Sequence, residues 1–162
     1  MQRRSWMLAT GAATLLAGCG FRLREQVPLP YKSVLVEGRD TELVQMLKRA
    51  LTSETKVVGN VAQAEAVLRI LSERQERVST VVDGNGLVLQ VQLRLTVEIA
   101  MDAADGTALI AATPLRITQD MSYSDSQALA MQSEMELRFQ DMRRAMVSQI
   151  MRRMAFAHRA GR

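Results

Sequence analysis

Cysteine and histidine are nearly absent from this chain, which holds one of each, Cys19 and His158. A lone thiol cannot close an internal disulfide, so no covalent staple is available to the fold. A lone histidine close to the chain end leaves no His-based triad and no His-rich metal cluster to build. Aromatic residues make up only 4% of the chain, and eleven methionines supply flexible, polarizable core volume in their place. No stretch approaches the ~20 consecutive apolar residues that a permanent membrane helix needs. The carboxylate pairs Glu73/Glu76 and Glu134/Glu136 lie among arginines on polar faces and read as solvated surface. Gly84-Asn85-Gly86 joins two extended segments and does not open a helix, so it is no phosphate loop. The expectation is a protein that binds or assembles, with no catalytic residue, no metal ligand and no diffusible cofactor.

The most informative stretch present is Leu87 to Met101, LVLQVQLRLTVEIAM. Its odd-numbered residues are all aliphatic, whereas Gln90, Gln92, Arg94, Thr96 and Glu98 fill the positions between. Strict alternation predicts a long strand with one face in a core and the other toward water or a polar partner. A second extended segment, Ala66 to Val82, is polar on both faces from Glu73 to Arg77. That pattern predicts a strand that becomes an edge or projects beyond the core. Asp83-Gly84-Asn85-Gly86 supplies a tight turn between the two. Leu109 to Tyr123 reads as the last strand, its inner face formed by Leu109, Ala111, Leu115, Ile117 and Met121, with Pro114 marking an edge or a bulge. Ser33 to Glu37 reads as a short buried strand, and Thr55 to Gly59 only as a brief extended piece.

Two helices are expected. Asp40 is a plausible N-cap for a helix running to about Ser53, with a stripe of Leu43, Val44, Leu47, Ala50 and Leu51. Ser124 and Gln127 suggest a capping box for a helix running to about His158. One face of it carries Ala128, Met131, Met135, Phe139, Met142, Met146, Ile150 and Met154. The fold class expected is α+β: a two-layer sandwich, with a four-stranded, mostly antiparallel sheet and two helices packed on one face.

The amino-terminal residues follow a different logic. Arg3 and Arg4 precede the uncharged stretch Trp6 to Ala17, the form of a secretory leader, compatible with general or twin-arginine export. Leu16-Ala17-Gly18-Cys19 resembles the lipobox of bacterial lipoproteins. That resemblance implies cleavage after Gly18, diacylglycerol on the Cys19 sulfur and an acyl chain on the new amino terminus, together a firm membrane anchor. Gly20 in place of an aspartate favours the outer membrane. The expected organisation is a leader over 1–18, a lipidated tether over 19–30 held extended by Pro28 and Pro30, and a single domain over 31–162. Loss of the leader lowers the formal net charge from +4 to +2. From Arg138 onward seven arginines face one acid, Asp141. Such a basic end could meet phosphate or anionic headgroups, or it could be cations suited to a helix C-terminus, the simpler reading.

Cys19-Gly20-Phe21-Arg22-Leu23-Arg24, followed by strand, helix, three long strands and a long helix, resembles the LptE family of lipopolysaccharide-assembly lipoproteins. Ala128-Leu129-Ala130 and Asp141-Met142-Arg143-Arg144 in the last helix add to the likeness. The resemblance implies a lipoprotein that plugs the LptD β-barrel, binds lipopolysaccharide and helps insert it into the outer leaflet of the cell outer membrane. At two positions where the family carries basic residues, this chain has Gly84 and Met131. Arg77 and Arg94, on strands flanking the turn, are the substitute candidates for contacting lipopolysaccharide phosphates. The plainer alternative is that they pair with Glu73 or Glu98 across strands. Two other classes stay open: a periplasmic auxiliary subunit of an ABC-type lipid transporter, and a purely structural envelope lipoprotein.

Overall fold

The computed structural model of the protein describes residues 29–160. The leader, Cys19 and most of the tether lie outside the described residues, so their expected roles carry no structural account.

Strand β1 (Ser33–Glu37) buries Val34, Leu35 and Val36. Helix α1 (Glu42–Thr52) follows, burying Leu43, Val44, Leu47 and Leu51, the expected stripe. Its N-cap is Thr41, whose Oγ1 accepts from the Val44 amide at 3.4 Å. Asp40, the expected cap, instead accepts a hydrogen bond from the Gln45 side chain. Strand β2 (Lys56–Val58), a 3-10 turn (Val61–Gln63), β3 (Ala66–Val82), β4 (Val88–Ala103) and β5 (Ala108–Ser122) come next. A second 3-10 turn (Asp125–Gln127) leads into α2 (Ala128–Ala160). Ser124 caps no amide with its side chain; its hydroxyl meets Ser126, so the expected capping box does not form.

The sheet has five strands in the order β2-β1-β3-β4-β5. β1 runs parallel to both β2 and β3, whereas β3, β4 and β5 are antiparallel neighbours. The expected four-stranded, mostly antiparallel sheet is therefore corrected to a five-stranded mixed one. Three residues are too few to show a period of two, so β2 was legible only as an extended piece. Pairing of Ser33, Val34 and Leu35 with Lys56, Val57 and Val58 makes it a strand.

Both helices pack on one face, closing a core of Val34, Val36, Leu68, Ile70, the odd residues Val91 to Met101, Leu115 and Met121 beneath Leu47, Phe139, Met146, Ile150 and Met154. A smaller cluster of Leu35, Val58, Ala64 and Val67 lies on the opposite face at one end. Gly38 lets the chain leave β1 beside β3: a Cβ there would sit 3.0 Å from that of Ile70.

Bulges set which face each residue takes. β3 shifts register between Ile70 and Ser72, so Ala66, Leu68 and Ile70 face the helices, and beyond Leu71 that face passes to Glu73, Gln75, Arg77 and Ser79. β1 ends opposite Arg69, which leaves the rest of β3 an edge that also projects beyond the core. In β5 the shift falls between Thr113 and Ile110, adjoining Pro114, so Ile110 pairs with Met101 and the expected inner residue Ala111 is exposed. In the central strand the expected alternation holds from Val91 to Met101, but Leu87 and Leu89 are exposed, where the sheet runs past the packed part of α2.

Candidate functional site

Three surfaces among the described residues are candidates. The first is the sheet face opposite the helices. Cross-strand rows there read Arg74–Thr96–Arg116, Glu76–Arg94–Thr118 and Val78–Gln92–Asp120. Gln92 Nε2 donates to Asp120 at 2.9 Å, Arg94 Nε donates to Gln92 Oε1 at 2.8 Å, and Arg74 pairs with Glu76 at 3.8 Å. No helix among the described residues covers these rows. They form a hydrogen-bonding, mixed-charge surface on three long strands, suited to a polar partner rather than a lipid tail.

The second surface is the hairpin tip. Asp83 Oδ1 accepts from the Asn85 and Leu87 amides, both at 2.8 Å, and Gly86 takes a φ of 85°. Those backbone hydrogen bonds, Leu87 first, hold the Asp83 carboxyl below its usual range. Val82, Leu87 and Leu89 stand exposed beside this turn, so it is an apolar tip on a polar hairpin.

The third is a cleft of about 700 Å³ between the β3 edge and the start of α2. Gln75, Arg77, Met135, Glu136 and Phe139 line it. Arg77 enters from β3 with its guanidinium carbon 5.6 Å from the centroid of the Tyr123 ring. Its charge is held against a ring face and not against a carboxylate.

Arg77 and Arg94 are therefore not brought together. The bulge at Leu71 turns Arg77 to the helix side, opposite Leu93, whereas Arg94 lies on the open face opposite Glu76. Neither makes the alternative pair with Glu73 or Glu98. Glu73 instead accepts from the Thr41 hydroxyl at 2.6 Å. Gly84 has open space round it, and Met131 packs against the core. Cys19 lies outside the described residues. Among the described residues, no group of three or more His, Cys, Asp and Glu side chains is placed to hold a metal ion.

The sequence reading missed Arg143. Its side chain is 5% exposed in the seam between the helices, with Nη2 2.5 Å from Glu42 on α1 and 2.7 Å from Glu136 on α2. Its position on the Phe139–Met146 stripe, seven residues after Glu136, was the available signal.

The described residues form an α+β sandwich roofed on one face by two helices. Solved structures of lipoproteins share it. An uncharacterized lipoprotein B from Nitrosomonas europaea matches with a TM-score of 0.71 at 27% identity, over 82% of this chain and 88% of that one. The rare lipoprotein B from Shewanella oneidensis matches at 0.70 and 25% identity, over 78% and 96%. A minor lipoprotein from Acinetobacter baumannii matches at 0.61 and 25% identity, over 81% and 96%. No curated protein matches the chain. The family profile LptE, lipopolysaccharide-assembly, matches residues 31–154, and the chain belongs to that family.

Proposed function

We propose that this chain is an outer-membrane lipoprotein, anchored through acylated Cys19, that plugs an LptD-type β-barrel and assists insertion of lipopolysaccharide at the outer leaflet. The observation that carries the reading is the open sheet face. Its rows of Arg, Gln, Thr, Glu and Asp on β3, β4 and β5 suit the polar lumen of a wide barrel, whose interior side chains are themselves polar. Strands of 15 to 17 residues run roughly 50 Å at ~3.3 Å per residue, longer than the ~25 Å apolar band of such a barrel, so a plug built on them would span it.

The test is photocrosslinking from single positions in intact envelopes. A photoreactive residue at Thr118, on the open face, is expected to capture the barrel, whereas one at Thr52, exposed at the end of α1, captures it weakly or not at all. Capture from Thr52 with none from Thr118 would contradict the docking face.

For lipopolysaccharide, Arg77 and Arg94 act separately, because they occupy opposite faces. Arg77→Ala is expected to weaken lipopolysaccharide binding by about tenfold, the scale of one charge-assisted contact. Arg94→Ala has a smaller effect, since that guanidinium already donates to Gln92. Equal affinity of a folded Arg77→Ala variant and the parent, measured by titration with lipopolysaccharide, would remove Arg77 from the ligand surface.

A further inference from the structure

The described chain enters the domain at a definite place. Leu29 and Tyr31 are buried, and the Tyr31 hydroxyl donates to the Met154 carbonyl at 3.3 Å, near the end of α2. Thr55 Oγ1 donates to the Tyr31 carbonyl at 2.5 Å, which gathers the end of α1 and the start of β2 round the same point. At this end stand Lys32, Arg49, Lys56, Arg152 and Arg153, exposed or half-exposed, and none forms an ion pair among the described residues. The acids here are Glu54, Glu65 and Asp105. Glu65 accepts the Lys32 amide at 2.6 Å, and Asp105 accepts the Thr107 amide at 2.9 Å.

A helix dipole does not account for the two arginines. Its effect fades beyond the last turn, and Arg152 and Arg153 precede the helix end at Ala160 by eight and seven residues. Phe156, 55% exposed, adds an apolar ring to the same end of α2.

We infer that this basic end is a docking surface for the anionic phospholipid headgroups of the leaflet that carries the Cys19 lipid. The inference rests on the reading of Cys19 as a lipid anchor. Nine residues lie between Cys19 and Leu29, so the tether's ten steps reach at most about 35 Å, and this end of the domain is the one the membrane holds near. Attraction to an anionic surface decays within a Debye length of about 8 Å, so the charges act only when this end lies against the bilayer. The anchor supplies proximity and the cations supply orientation, with the hairpin tip at the opposite end of the sheet.

Vesicle co-sedimentation tests this without the anchor. The chain from residue 19 onward with Cys19→Ala is mixed with vesicles of phosphatidylcholine alone, or with one-third phosphatidylglycerol. Retention is expected on the anionic vesicles only and lost at high salt. It falls about thirtyfold in Arg152→Gln/Arg153→Gln and likewise in Lys32→Gln/Lys56→Gln, with unchanged circular dichroism. Equal retention on both kinds of vesicle, or full retention by both folded double variants, would overturn the inference. So would a loss confined to lipopolysaccharide micelles, which assigns the cations to lipopolysaccharide phosphate instead. The anchor is checked separately by detergent partitioning of the native protein: recovery in the aqueous phase refutes acylation of Cys19 and leaves the vesicle result to be judged by itself.

Discussion

Arg143 carries a charge into the seam between the helices, and its surroundings decide what it is worth. Among the described residues Nε has no partner, and the two carboxylates that meet Nη2 are themselves half in water. Taking an ion out of water costs several kcal/mol, which such partners offset only in part. Arg143→Met, with a similar apolar reach, is therefore expected to be neutral or stabilising. Glu42→Ala/Glu136→Ala removes both partners of the cation and, with their exposure to water discounted, is expected to cost about 1–2 kcal/mol. Urea unfolding of both variants checks the contrast; a large loss in Arg143→Met alone would show that the ion cluster stabilises the seam. The face of Arg77 was not legible in the sequence for a related reason. One bulged residue, Leu71, inverts the phase of β3, and nothing in the Ser72–Arg77 composition announces where an extra residue sits.

At the scale of elements, periodicity revealed most of what the fold contains. Aliphatic alternation on β4 and the stripes on α1 and α2 are direct records of burial, so those elements emerged with nearly their observed bounds. What escaped was set by partners elsewhere in the chain: β2 exists because β1 lies beside it, and Ile110 replaces Ala111 inside because of a bulge against Met101. The β3–β4 hairpin adds a pH dependence. The Asp83 carboxylate is stabilised by amides in the folded turn, so its pKa is depressed below the ordinary 3.8. A depressed acid contributes stability that is present above the unfolded value and lost as pH falls through the folded one. Amide exchange at Asn85 and Leu87 is thus expected to quicken relative to the core below about pH 4. Asp83→Ala should show that fast exchange at neutral pH as well. Unaltered protection in the variant would mean that the turn's backbone conformation suffices.

The whole molecule is a slab with two unlike faces and two unlike ends. Helices cover one face, and the other presents polar rows across three strands. One end gathers the chain entry and cations that form no ion pair among the described residues, while the other carries the apolar hairpin tip. Strand alternation made the polar face legible, because Gln90 to Glu98 cannot all be core. The charge asymmetry was legible only as a basic carboxyl-terminal run; its link to the tether became visible once Tyr31 was found against Met154. The plug account requires a stoichiometric barrel partner, and the direct measurement is a mild-detergent pull-down of the tagged, lipidated protein from its own envelope. A large β-barrel of LptD type, recovered one-to-one and retained at high salt, is the result the account predicts. Recovery of an inner-membrane permease and its ATPase, with no barrel, would contradict it.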